Sequence, residues 1–109
     1  MSLLVYVTTP TEENARLLAR GLVESQLAAG VNIGGPVHSI YRWRGNINEA
    51  REWQLFIQTA VGSFAALKEF ITANHPHHTP CVIAFRIEAG HPDFLEWIGN
   101  GGTQPCILP

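Results

Sequence analysis

The stretch from Val37 to Thr59 constrains this chain more than any other. Val37 to Arg44 and Ile47 to Thr59 are extended runs on either side of Gly45-Asn46, a dipeptide that reads as a hairpin turn. Trp53, Leu55, Ile57 and Thr59 alternate with Gln54, Phe56 and Gln58, the period of two that a strand imposes. At about 3.3 Å per residue the second run spans roughly 40 Å. A domain of 109 residues has a radius of gyration of about 13 Å and a diameter of roughly 35 Å. The hairpin therefore overhangs its own domain unless it bends. It carries Ile40, Tyr41, Trp43, Ile47, Trp53 and Phe56, and exposed edges of this kind invite pairing with another chain. Singly, these aromatic residues can pack under helices of their own domain; together they favour a sheet shared between subunits.

The flanking segments supply the rest of the architecture. Leu3 to Thr8 is a continuous apolar run, as a central strand buried on both faces requires. Thr9 reads as the N-cap of a helix, Pro10 sits where a missing N–H costs nothing, and Glu12 completes a capping box. Ala15, Leu18, Ala19, Leu22, Val23 and Leu27 then recur at helical spacing. Glu12–Arg16 and Arg20–Glu24 form i,i+4 pairs on the other face, and Gly30 reads as the C-cap. Val31 to Ile33 restarts extended structure, and Gly34-Gly35-Pro36 marks a bulge or bend. After the hairpin, Ser63 caps a second helix bearing Phe64, Leu67 and Ile71, which stops before Pro76. Val82 to Glu88 is the last strand, and His91-Pro92-Asp93 opens a third helix with Phe94, Leu95 and Trp97, His91 acting as its cap. The order strand, helix, two hairpin strands, helix, strand predicts an α+β fold, a ferredoxin-like βαββαβ sandwich with an extra C-terminal helix. Residues 1–98 form one domain, and 99–109 a Gly-rich flexible tail in which Ile107 and Leu108 could dock.

Charge and composition exclude several function classes. Lys plus Arg number 7 against 9 Asp plus Glu, with no basic run to track phosphates, so no nucleic-acid partner is expected. The RNA-recognition motif shares this topology, and Tyr6 and Phe56 sit where bases would stack, but the third strand lacks the basic-Gly-aromatic signature. An acylphosphatase-type enzyme needs a phosphate-cradling loop, whereas the Thr8-Thr9-Pro10-Thr11 turn has no glycine. No enzymatic activity is expected. The apolar stretches fall far below the roughly 20 residues of a membrane helix, and the chain opens on a strand rather than a signal segment. With Cys81 and Cys106 as its only cysteines, a disulfide is weakly indicated and a reduced, cytoplasmic protein is the default.

Short motifs in order resemble one family. Val5-Tyr6-Val7-Thr8-Thr9-Pro10, then Leu27-Ala28-Ala29 and Val31-Asn32-Ile33, then Ser39-Ile40-Tyr41-Arg42-Trp43 with Gly45, are similar to the opening, second strand and hairpin of CutA divalent-cation tolerance proteins. His75-Pro76 with Pro80, and Glu88-Ala89-Gly90 with Pro92-Asp93, Leu95 and Trp97-Ile98, resemble the family's last loop and helix. The resemblance runs from about Leu3 to Ile98. It implies a ferredoxin-like homotrimer whose long hairpins pair between neighbours, an association with tolerance of divalent cations, copper in particular, and no catalytic machinery. The trimer is similar to that of nitrogen-regulatory signalling proteins, which place ligands in clefts between subunits. This chain departs from the family at Gly30, where Cys is usual, at His77 and His78, which replace Tyr and Glu, and at Cys81, which replaces an acid.

Within that frame, His75-Pro76-His77-His78-Thr79-Pro80-Cys81 is the one clear ligand cluster. Imidazole and thiolate suit Cu, Zn and Ni, and the prolines restrict the loop. His75, His77, His78 and Cys81 are the candidate metal ligands, although their spacing matches no standard zinc module. Alternatively, His75 favours the helix C-terminus while His77 and His78 face water. Arg42, Arg44 and Glu52 are candidates for an intersubunit ligand cleft, or else a cross-strand ion pair. Tyr41, Trp43 and Trp53 are assigned to trimer packing. The expected function is divalent-cation binding or tolerance by a homotrimer, the alternative a regulatory trimer that binds a small anionic ligand; no organic cofactor is expected.

Overall fold

The sequence folds around one long strand. In the computed structural model, which describes residues 1–103, the elements are β1 (Ser2–Thr9), α1 (Glu12–Glu24), β2 (Gly30–Trp43), β3 (Asn46–Ala60), α2 (Phe64–Asn74), β4 (Val82–Arg86) and α3 (Pro92–Gly99). The four strands form one antiparallel sheet in the order β2-β3-β1-β4. This is the expected ferredoxin-like α+β arrangement with its added helix. Cys106, Ile107 and Leu108 lie outside the described residues.

Alternation along the two central strands decides where the core sits. Leu3, Val5 and Val7 of β1 and Leu55 and Ile57 of β3 face the helices and are buried against Ala15, Leu18 and Leu22 of α1 and Leu67 and Ile71 of α2. Each fully buried Leu or Ile contributes about 1.5–3 kcal/mol relative to leaving it in water. Thr59 closes the row: its hydroxyl donates to the Leu27 carbonyl at 2.7 Å. The apolar run of β1 predicts burial on both faces, but only one is buried. Tyr6 on the other face is half-buried, and Phe85 of β4, paired with Leu4, is 53% exposed. At the Gly30 end of that face the Trp97 ring of α3 comes so close that a Cβ on Gly30 would meet it at 2.9 Å.

Local punctuation differs from expectation at several places. Ser63 precedes α2 but makes no side-chain capping hydrogen bond, because it is already helical (φ −93°, ψ −7°). β4 stops at Arg86 rather than Glu88. β1 remains paired through Thr9↔Trp53, so Thr9 cannot cap α1. Thr11 does so instead, its hydroxyl accepting the Asn14 N–H at 3.0 Å. α1 also ends earlier, at Glu24, with Gln26 at φ 61° turning the chain, because Gly30 is already paired opposite Gln58 as the first residue of β2. Val23, in the last turn of α1, is exposed rather than part of the apolar stripe, and Leu27 packs on the core from beyond the helix. The hairpin turn falls on Arg44 (φ 52°) and Gly45 (φ 80°), flanked by Trp43↔Asn46, one residue ahead of Gly45-Asn46. Positive φ at both central residues matches the right-handed twist of the strands.

Glycine matters most at the expected bulge. The β2–β3 register shifts between Gly34 and Val37, and Gly35 sits there at φ 133°. Beyond it, Val37–Trp43 and Asn46–Glu52 pair only with each other and project as an arm. The molecule accordingly measures 46 × 27 × 25 Å. Ile40 (66%), Trp43 (55%) and Ile47 (62%) stand exposed along the arm.

Two substitutions test this account. A Cβ at Gly35 would lie 3.1 Å from Trp53 Cδ1 and 3.2 Å from the Glu52 carbonyl, so Gly35→Ala should cost about 1–3 kcal/mol in urea unfolding; a loss below about 0.5 kcal/mol would mean that the bulge relaxes freely. Thr59→Val removes the donor to the Leu27 carbonyl while keeping shape, and a loss of about 1–2 kcal/mol is expected in the same assay.

Candidate functional site

The sheet face turned away from α1 and α2 continues up the arm as Glu52 on β3 and, beyond the bulge, Ser39, Tyr41 and Trp43 on β2. The connection from α2 to β4 runs beside it. Together they enclose a cleft of about 770 Å³, lined on one side by the arm residues with Arg44 and Thr8, and on the other by His77, His78, Thr79 and Cys81.

The connection is held in place by His75. α2 stops at Asn74, whose side-chain amide donates to the Phe70 carbonyl at 2.8 Å. His75 is extended (φ −91°, ψ 140°), as a residue before proline prefers. Its imidazole is buried, with 8% exposed. Nε2 lies 2.8 Å from the Thr8 carbonyl, to which it donates, and Nδ1 accepts the His77 backbone N–H at 3.0 Å. A carbonyl accepts and an N–H donates, so these partners assign the neutral tautomer protonated at Nε2. Both ring nitrogens of this candidate metal ligand are thus engaged within the chain, which leaves neither nitrogen open to a metal in this arrangement. The His75 and His77 rings lie 5.0 Å apart.

The remaining candidates divide by strand face. His77, His78 and Cys81 share the cleft, and Cys81 is a free, exposed thiol. They do not close on one point: among the described residues no three of His, Cys, Asp and Glu converge as a metal-binding group. Glu52 and Arg44 line the cleft, whereas Arg42 does not. Arg42 pairs with Ile47, and strand alternation turns both toward the opposite face. Tyr41 and Trp43 also line the cleft while standing largely exposed. Trp53 lies across the sheet from them, packed against the chain's own core, with the Arg51 guanidinium 5.5 Å from its ring. Thr8, Ser39 and Thr79 belong to the lining too; sequence reasoning missed Thr8 and Ser39 because only the pairing register reveals which strand residues share this face.

Two other histidines are accounted for. His38 pairs with Glu49 on the arm. His91 caps α3, its Nδ1 accepting the Asp93 N–H at 3.2 Å, as expected.

Comparison with known proteins places this geometry. Residues 3–101 match the family described as CutA1 divalent ion tolerance protein. The divalent-cation tolerance protein CutA of Thermus thermophilus is 42% identical over 98 residues, covering 90% of this chain and 95% of that protein. The Archaeoglobus fulgidus protein of the same name is 39% identical over 94 residues, covering 86% and 91%. The solved Thermus thermophilus structure superimposes with a TM-score of 0.91 at 40% identity, covering 93% of this chain and 98% of that one. Longer relatives exist: the chain spans 63% of the Xenopus laevis CutA homolog and 59% of the Mus musculus protein. With sequence and fold matched over nearly its whole described length, the chain belongs to the CutA1 divalent ion tolerance family.

Proposed function

We propose that this chain acts as a homotrimer that binds divalent cations of the copper, zinc and nickel type, with the cleft beneath the arm as the holding site. The observation that carries the reading is the placement of His77, His78, Cys81 and Glu52 around one cleft. Two imidazoles and a thiol are the donor types that these metals select, over the all-oxygen sets of magnesium and calcium. One chain offers an incomplete shell, so water or a second copy supplies the missing donors; three-fold symmetry brings equivalent clefts and arms together. The exposed Ile40, Trp43 and Ile47 support the trimer, because apolar rows on a protruding two-stranded arm gain stability when another subunit covers them. Relatives are named for tolerance of divalent cations, not for a reaction.

A second reading has its own observation. Arg44 and the hydroxyl-bearing residues Thr8, Ser39 and Thr79 line the same cleft, a set that suits a small anion. The Glu52 carboxylate among them disfavours an anion and favours a cation, which puts the metal first.

Three copies should appear as a single species of three chain masses in sedimentation at micromolar concentration; a compact single chain there overturns the assembly. Titration of the trimer with Cu(II), Zn(II) or Ni(II) should give a stoichiometry tied to three sites. Replacing His77, His78 and Cys81 together by Ala should weaken binding at least about tenfold, or 1.4 kcal/mol, and unchanged affinity refutes this site. If a small anion is the ligand instead, it should raise the melting temperature, and Arg44→Ala should abolish that rise.

A further inference from the structure

His75 is a buried polar group beside the cleft, and its two hydrogen bonds have different consequences. β4 begins at Val82, paired with Val7, so Thr8 is the first residue of β1 without a strand partner on that edge. The Nε2–H of His75 satisfies the Thr8 carbonyl there and pins the start of the α2–β4 connection to the sheet. The second bond is local. Nδ1 accepts the N–H of His77, two residues on, with Pro76 between them and Pro80 further along, neither of which has an N–H to donate. A side-chain acceptor on the backbone N–H two residues later closes a tight turn of the kind that Asn and Asp form. Because this turn sets the backbone at His77, it sets the direction in which the His77 side chain leaves.

We propose that His75 is the positioning residue of the cleft: its Nε2–H anchors the connection to β1, and its Nδ1, by holding the His77 N–H, aims the His77 side chain into the cleft. The anchor also fixes the tautomer, because a ring that gives its one proton to Thr8 must present a lone pair at Nδ1. Groups that orient a metal ligand commonly change metal affinity about 10–100-fold when replaced. The role differs from that of a buried histidine that only adds stability, since it assigns the orienting effect to Nδ1.

His75→Asn and His75→Gln separate the two bonds. The Asn side-chain oxygen reproduces the Nδ1 acceptor in an Asx turn, which an Asn-Pro pair favours, but cannot reach Thr8. The Gln amide can donate to the Thr8 carbonyl but lacks an acceptor placed for the His77 N–H. Two readouts are taken on the full chain: hydrogen exchange at the His77 amide by NMR, and affinity for Zn(II) by calorimetry. His75→Asn should keep the His77 amide protected and Zn(II) affinity within about threefold of the parent. His75→Gln should lose that protection and bind at least about tenfold more weakly. Equal behaviour of the two variants in amide exchange, including failure of both to fold, overturns the proposal, as does folding of His75→Gln alone. The affinity arm rests on the cation reading of the cleft and the exchange arm does not. A parent protein that binds no Zn(II) therefore removes that reading, while the His77 amide still decides the role of His75.

Discussion

β3 runs for 15 residues and is paired in two different ways. From Trp53 to Ala60 it pairs with β1, with β2 on its other edge from Gln54 to Gln58, whereas from Asn46 to Glu52 it has only β2 beside it. This unequal pairing governs the molecule. The doubly paired half places Leu55, Ile57 and Thr59 under α1 and α2 and makes the core. The singly paired half leaves the domain as an arm, and its unbroken alternation carries the same two faces outward. One face of the arm extends the helix side of the sheet; the other overhangs the end of β1 and the start of β4. The cleft exists because that second face meets the connection between α2 and β4.

The burial pattern follows the same division. β1 has no charged residue from Ser2 to Thr9, yet beyond Ser2 only its helix-facing residues are buried. Tyr6 and Phe56 lie 5.5 Å apart on the other face, and the Tyr6 hydroxyl accepts from the Gln54 amide at 2.7 Å. Gln58 reaches Asn32 in the same way at 2.8 Å. Apolar surface interleaved with amides already paired within the chain suits a face that meets another protein surface: the polar groups need no new partners, and the apolar ones gain by leaving water.

Much of the fold was legible in the residues themselves. The Gly34-Gly35-Pro36 break, the alternation of Trp53 to Thr59 and the His91-Pro92-Asp93 cap each act through nearest neighbours, and each appears where expected. The boundaries that moved were those where a local preference met a ladder of backbone hydrogen bonds. Thr9 has good capping chemistry, but strand pairing holds it in β1, and Thr11 takes the role. Gly30 has good C-cap chemistry, but it pairs with Gln58, and Gln26 turns the chain instead.

By itself, the sequence determined the order of elements, the hairpin longer than its own domain, and the family, because these depend on period, turn chemistry and short motifs read along the chain. Only the tertiary structure decided which candidates meet. Arg42 and Trp53 fell on the face opposite the cleft, while Glu52, Tyr41, Trp43 and Arg44 joined His77, His78 and Cys81. His75 passed from candidate ligand to a ring with both nitrogens engaged, because Thr8, 67 residues earlier, presents its carbonyl there. Which side chains share a space depends on strand register and on contacts between residues remote in sequence, and neither is written in the neighbourhood of any one residue.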